Sequence, residues 1–292
     1  MNRPLWTPDP GHAATTHMAR FIEFTGRELA PSVSDYDALY AWSLEQPEAF
    51  WSALWEFGDV RADRRGSRVT EGWPAMPGTR WFPDARLNFA ENLLRRRDDG
   101  IAIEFAGEGG TRRTLTWREL HDEVARLAAA LRAMGIAPGD RVAAWLPNAP
   151  ETVIAMLAAA SIGAIFSSCS PDFGVRGVLD RFGQIRPKVL FAAAAYRYNG
   201  KTHDCLARLA EMVPELPGLE RVVVTPFAAD GMNLSGLGGA ATAWADFVAA
   251  QPGALEFEPL PFDHPLYILY SSGTTGVPKC IVHGAGGTLL QH

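Results

Sequence analysis

Nine consecutive residues, Ser271-Ser272-Gly273-Thr274-Thr275-Gly276-Val277-Pro278-Lys279, gather hydroxyls, glycines and one lysine between two apolar runs. These are the parts of a polyphosphate cradle. Gly273 and Gly276 let the backbone take positive φ and come close to a ligand. Successive amides in such a turn form an anion-binding nest. Ser271, Ser272, Thr274 and Thr275 add hydroxyl donors, and Lys279 adds a mobile positive charge suited to phosphate oxygens. Pro278 stiffens the approach to that lysine.

The flanks say how the cradle is held. Leu266–Tyr270 and Cys280–His283 are short, branched and β-prone, which predicts a loop between two strands. A Walker A loop is a different object: it needs glycine, four residues, then Gly-Lys-Ser/Thr opening a helix. Here the glycines are three apart and a strand is expected after Lys279, which counts against a P-loop NTPase. The plain alternative is a polar β-turn with an ordinary surface lysine.

Tyr270-Ser-Ser-Gly-Thr-Thr-Gly-Val-Pro-Lys279 resembles the phosphate-loop signature of the adenylate-forming acyl-CoA synthetases, peptide-synthetase adenylation domains and luciferases. Many members have glycine after the lysine; this chain has Cys280. The resemblance covers essentially the whole chain and is strongest at 80–100, 164–176 and 266–284. It implies a two-step ligase. A carboxylate and MgATP give acyl-adenylate and pyrophosphate, and coenzyme A then displaces AMP. Ser271, Ser272, Gly273, Thr274, Thr275, Gly276 and Lys279 would hold the ATP phosphates, with Lys279 and Thr274 in the catalytic role. Within the family, Ile281-Val282-His283-Gly284 and the early part of the chain point to the branch acting on acetoacetate, with acetate or propionate as near alternatives.

The implied substrates and cofactors are ATP, Mg2+, coenzyme A and a small carboxylate. Two further segments are marked by the resemblance. Phe166-Ser167-Ser168-Cys169-Ser170-Pro171 stands where the family usually has Phe-Gly-Gly-Phe-Ser-Pro and touches coenzyme A, which makes Phe166 a candidate contact. Arg197, in Tyr196-Arg-Tyr-Asn-Gly-Lys201, matches a family arginine near the coenzyme A 3′-phosphate, and Lys201 is a similar candidate. Each has a purely structural reading beside it: a strand end with a helix cap, and a basic surface loop. The resemblance also implies that the chain is the N-terminal part of a longer enzyme, an incomplete large domain that is inactive alone. The competing class is a non-catalytic nucleotide-binding remnant.

His264 and His283 flank the loop, but adenylation needs no general base because the carboxylate is already a nucleophile; both are expected to be structural or to support a residue that touches the ligand. Cys280 is expected to point inward from its strand. There is no acid pair of a glycosidase and no Gly-x-Ser-x-Gly of a hydrolase.

With 292 residues, 47% hydrophobic and 21% charged, the composition is that of a globular protein. The formal charge of −6 argues against nucleic acid or an anionic membrane as partner. Cys169, Cys205 and Cys280 are odd in number and widely spaced, and His203-x-Cys205 lacks further ligands, so free thiols and no metal site are expected. No signal peptide opens the chain, and the longest apolar run, Val153–Phe166, is short for a bilayer, so a cytoplasmic location is expected.

The fold class expected is α/β: a helical N-terminal segment followed by a parallel-rich sheet with flanking helices. In residues 1–100 the patterns predict helices over about 13–29 (Met18, Phe21, Ile22 and Leu29 inward), from Ser34 or Asp35, and from Pro47, with no clear strand. Phe50, Trp51, Leu54 and Trp55 form an aromatic face expected to pack in a core. Arg61, Arg64, Arg65 and Arg68 read as a solvated basic loop. Over 101–262, Ile101–Phe105 and Thr111–Thr116 predict a hairpin, and Thr116-x-x-Glu119 a capping box opening a helix with Leu120, Val124, Leu127, Leu131 and Met134 on one face. Helices and strands then alternate. Strands are expected at Arg141–Leu146, Ala164–Ser167, Lys188–Ala192 and Arg221–Thr225. Helices are expected at Glu151–Ala160, from Ser170-Pro171 to Ile185, and over 201–213. Residues 263–292 begin a second lobe with the phosphate loop.

Overall fold

The computed structural model describes residues 5–229, 231–248, 251, 253–271 and 276–292. Its contacts divide the chain into two compact units, Met1–Ala85 with Leu290–His292, and Arg86–Leu289.

In the first unit three helices pack on one another: α1 (His17–Glu28), α2 (Tyr36–Glu45) and α3 (Pro47–Phe57). Each starts where an orphan amide finds a partner or a proline removes one. The Thr16 hydroxyl accepts from Ala19, the Asp35 carboxylate accepts from Ala38, and Pro47 opens α3. The core is Phe21, Val33, Leu39 and Ala53, with Phe50 and Phe57 edged against Phe21 at 5.8 and 5.1 Å. Trp55 is buried as well, so the aromatic face of α3 is a packing face; burying such a side chain is worth about 1.5–3 kcal/mol.

Two expectations for this unit need correction and a third stands. A separate helical turn, Pro10–Ala13, precedes α1, and Met18 and Leu29 are exposed while Phe21 alone of that stripe is fully buried. Two residues do form a ladder with two others, Thr70–Glu71 against Arg80–Trp81. The basic patch is an exposed loop as expected: Arg61, Arg64 and Arg68 are exposed, with Arg68 paired to Asp84 at 2.6 Å and Arg64 donating to the Asp84 carbonyl, while Arg65 is half-buried over the Trp55 and Phe82 rings. Asp84 supplies acceptors from both its carboxylate and its carbonyl to Arg68 and Arg64, which both remain exposed.

The second unit opens with α4 (Phe89–Leu93), capped by Asn88. The Asn88 amide nitrogen lies 3.0–3.1 Å from the carbonyls of Ala160, Ser161 and Glu258, a buried knot joining three segments. The hairpin β1 (Ile101–Ala106) and β2 (Arg112–Thr116) follows, then α5 (Trp117–Ala133) with both capping-box hydrogen bonds. Leu120, Val124, Leu127 and Leu131 are buried along α5; Met134 lies beyond the helix and is half-buried.

The main sheet is built from β3 (Arg141–Trp145), β4 (Ile165–Cys169), β5 (Val189–Tyr198), β6 (Lys201–Asp204), β7 (Arg221–Phe227), β8 (Ala241–Ala243), β9 (Pro265–Ser271) and β10 (Lys279–Gly284). Among the described residues the order is β8-β7-β5-β3-β4-β9-β10, with β6 paired on β5. Every neighbour pair is parallel except β9·β10 and β5·β6. Val142, Ala143, Ala144 and Trp145 are 0% exposed, which is why β3 reads as a continuous apolar run: parallel strands covered on both faces have no polar side. The helices α6 (Pro150–Ser161), α7 (Val175–Ile185) and α8 (Leu206–Met212) cross between strands.

The α/β class with a mostly parallel sheet stands as expected. Two local expectations do not. Residues 201–204 are strand, so the helix expected over 201–213 begins only at Leu206. Ser170-Pro171 does not cap α7: Ser170 bonds to Asp172 in a turn, and the helix starts after Gly174 with no side-chain cap.

Candidate active site

The chain runs out from β3 to β4 on one side and then returns past β3 to β5 on the other. In open α/β sheets that reversal opens a crevice at the carboxyl ends of the strands, where ligands bind. Two antiparallel hairpins project from that edge, and each carries candidate residues.

The first is β9–β10. Leu266 and Ile268 are buried and anchor β9 beside β4. The antiparallel ladder runs to its last rung, Ser271 opposite Lys279, so hydroxyl and ammonium stand at the two posts of one loop. Gly276 has φ +95°, a conformation that favours glycine. Ser272, Gly273, Thr274 and Thr275 lie outside the described residues. A strand follows Lys279, which removes the Walker A arrangement.

Side chains from elsewhere set the stem. Gln184 of α7 donates to the Pro278 carbonyl at 2.9 Å. Ser167 Oγ, buried in β4, donates to the Ile268 carbonyl at 2.8 Å and lies 2.9 Å from the Tyr270 hydroxyl. This explains a serine where the family has glycine: its side chain turns into the sheet and ties β4 to the loop-bearing strand. Burial pushes the Tyr270 phenol above its usual range and keeps it neutral. His264 bonds the Gly163 carbonyl at 2.9 Å and His283 packs on Tyr267. Cys280 is a correction: it is exposed, as are its neighbours Ile281 and Val282, because β10 is the outermost strand of the sheet among the described residues.

The second hairpin is β5–β6, with Arg197 opposite Thr202 and Tyr198 opposite Lys201. Its two-residue turn, Asn199-Gly200, has φ +51° and +73°, the positive pair that Asn-Gly favours in tight hairpins. That dipeptide is the signal that sequence reasoning passed over. Arg197 lines a cleft of about 310 Å³ with Phe105, Glu108, Arg113, Asn148 and Phe227. Arg113 is held there by Glu151 at 2.6 Å. Phe166 does not join them. It is 5% exposed and sits at the second position of β4, away from the carboxyl edge, opposite Val142 and Tyr267.

The two hairpins share the carboxyl edge but stand three strand spacings apart, about 14 Å. Among the described residues no group of three His, Cys, Asp or Glu could cage a metal. The donors present are hydroxyl, ammonium and guanidinium, which suit phosphates.

Fold and stem together define a class: a parallel-sheet protein with a glycine- and hydroxyl-rich hairpin at the carboxyl edge of its strands. The chain belongs to the AMP-binding enzyme family, whose sequence profile matches residues 89–291, and residues 36–93 match the acetyl-coenzyme A synthetase N-terminus. It is 52% identical to acetoacetyl-coenzyme A synthetase of Rhizobium meliloti over 99% of this chain and 44% of that protein. Identity to the acetoacetyl-CoA synthetase of Macaca fascicularis is 46%, with the same two coverages. The structure of acetoacetyl-CoA synthetase from Streptomyces lividans superimposes with a TM-score of 0.92 at 42% identity, again over 99% of this chain and 44% of that one. The chain therefore spans less than half the length of these relatives. Among the described residues, no helix is long and apolar enough to cross a membrane.

Proposed function

We propose that this chain carries the phosphate loop and the coenzyme A-binding lobe of an ATP-dependent acid–CoA ligase whose acid is acetoacetate. The observation that carries the reading is the last rung of the β9–β10 ladder, which places Ser271 and Lys279 face to face across a glycine-containing loop. The acetoacetate assignment rests on relatives that are 42–52% identical to this chain over nearly its whole length.

In the first step a carboxylate oxygen of the acid attacks the α-phosphorus of ATP, the bond from that phosphorus to the β-bridging oxygen breaks, and pyrophosphate departs. Charge accumulates on the leaving group. Lys279, the hydroxyls of Ser271, Ser272, Thr274 and Thr275 and the amides around Gly273 and Gly276 are the donors proposed to neutralise it, with Lys279 and Thr274 in the catalytic role. Mg2+ enters as part of the MgATP substrate, held by phosphates and few protein oxygens. In the second step the coenzyme A thiolate attacks the acyl carbon and AMP leaves. Arg197 and Lys201 are the cations proposed to meet the 3′-phosphate of that coenzyme.

The test is acid-dependent ATP–pyrophosphate exchange, using this chain joined to the C-terminal remainder of the Rhizobium meliloti relative. Exchange with acetoacetate exceeding that with acetate or propionate is expected. A soluble, folded chimera that exchanges with none of the three acids would overturn the ligase reading, and preference for acetate would overturn the substrate.

A further inference from the structure

The β5–β6 hairpin is gripped from outside by a turn that the ligase reading does not use. That turn joins β1 to β2 through residues 107–111. Glu108 sends both carboxylate oxygens into the hairpin tip: Oε1 accepts from the Asn199 amide at 3.0 Å and Oε2 from the Gly200 amide at 3.1 Å. Positive φ at both tip residues aims the two N–H groups in convergent directions, the shape of a small anion nest, and the carboxylate fills it. The Gly200 and Asn199 amides hold the Glu108 carboxyl below its usual range.

An independent contact comes from the next residue. Gly109 has φ +80°, and a Cβ built on it would stand 2.4 Å from Arg197 Nη1. The guanidinium therefore lies against bare backbone, in a place only glycine leaves open. Glu108 and Arg197 line the same cleft. Arg113 in that cleft is paired with Glu151, whereas Arg197 has no ion pair among the described residues. An unpaired cation is thus set in place by a turn more than eighty residues away in sequence.

We propose that the Glu108–Gly109 turn is a positioning element for Arg197, fixing the hairpin tip and the guanidinium in advance so that the cleft favours ligands ending in a phosphate monoester. This rests on the assignment of Arg197 to the 3′-phosphate of coenzyme A. A pre-set arginine loses less side-chain freedom on binding, and releasing it is expected to weaken phosphate recognition about three- to tenfold.

The experiment is calorimetric titration of the 292-residue chain with coenzyme A and with dephospho-coenzyme A, which lacks the 3′-phosphate. Wild type, Arg197→Ala, Glu108→Gln and Gly109→Ala are compared, each with its thermal midpoint. Wild type is expected to prefer coenzyme A, Arg197→Ala to lose the preference, and Glu108→Gln and Gly109→Ala each to reduce it about three- to tenfold with dephospho-coenzyme A binding unchanged. If Arg197→Ala loses the preference while both turn variants keep it, or if the turn variants weaken both ligands alike, the positioning role is wrong and the Arg197 assignment survives. If wild type shows no preference, or Arg197→Ala keeps it, the Arg197 assignment itself fails and the positioning role falls with it.

Discussion

The two hairpins at the carboxyl edge of the sheet solve opposite problems. The β5–β6 hairpin closes in two residues, and its exposed amides are occupied by the carboxylate of Glu108. The β9–β10 hairpin closes over residues 272–278, and its stem is held at the exit by Gln184 and at the base by Ser167. A two-residue turn presents one side chain in one place, which suits a single phosphate charge. A long loop rich in glycine and hydroxyls can wrap several phosphate oxygens, which suits a leaving pyrophosphate. Both shapes are antiparallel additions to a parallel sheet, where backbone can project beyond the buried layer.

The largest effect should come from the long loop. Lys279→Ala is expected to lower acetoacetate-dependent exchange in the chimera by about 10²–10³-fold while leaving its thermal midpoint and its coenzyme A preference in place. Loss of coenzyme A preference in this variant would show that the two hairpins are not separable. Next is the base of that hairpin. Ser167→Ala removes the hydroxyl between the Ile268 carbonyl and the Tyr270 hydroxyl and is expected to destabilise the chain by about 1–3 kcal/mol in urea unfolding. An unchanged midpoint would mean that the β4–β9 ladder holds the loop unaided.

On the short hairpin, Gly200→Ala forces a Cβ onto φ +73° and is expected to cost about 1–2 kcal/mol. Urea unfolding reads this too, and a cost below that of Asn199→Ala would contradict the turn assignment. A smaller effect belongs to pH. Because the Glu108 carboxyl lies below its ordinary value in the folded chain, its contribution is complete above pH ~4.3 and fades as pH falls through the lower folded value. The difference in midpoint between wild type and Glu108→Gln should therefore shrink as pH falls below about 4.3. A difference that grows with acid would reverse the sign. Last, thiol labelling should find Cys280, on the outer stem of the long loop, before Cys169 and Cys205, whose thiols burial pushes up to about 12. Equal rates would show that the sheet opens as readily as its edge.

The long loop was legible because its flanks are. Leu266–Tyr270 is apolar and branched, Cys280–His283 likewise, and a stretch of glycine and hydroxyls between two such runs has few other shapes. The capping box at Thr116 and Glu119 was equally plain, since its partners are three residues apart. The short hairpin was missed although Asn199-Gly200 announces it. Its return strand reads Lys-Thr-His-Asp, which carries no apolar alternation, and it is a strand only because β5 offers it a ladder. Cys280 was placed inward on the assumption that a strand has a covered face; β10 has none at that position.

Local sequence by itself settled what neighbouring residues can decide: the capping box that opens α5, the apolar runs of the main parallel strands, and the two strands that flank the loop. Tertiary structure decided the rest. Glu108 meets Asn199 across 91 positions, Gln184 meets Pro278 across 94, and Ser167 meets Tyr270 across 103. No periodicity encodes such pairs. They arise because strands buried on both faces can be satisfied only by one order and register in the sheet, and that order carries distant loops to the same edge.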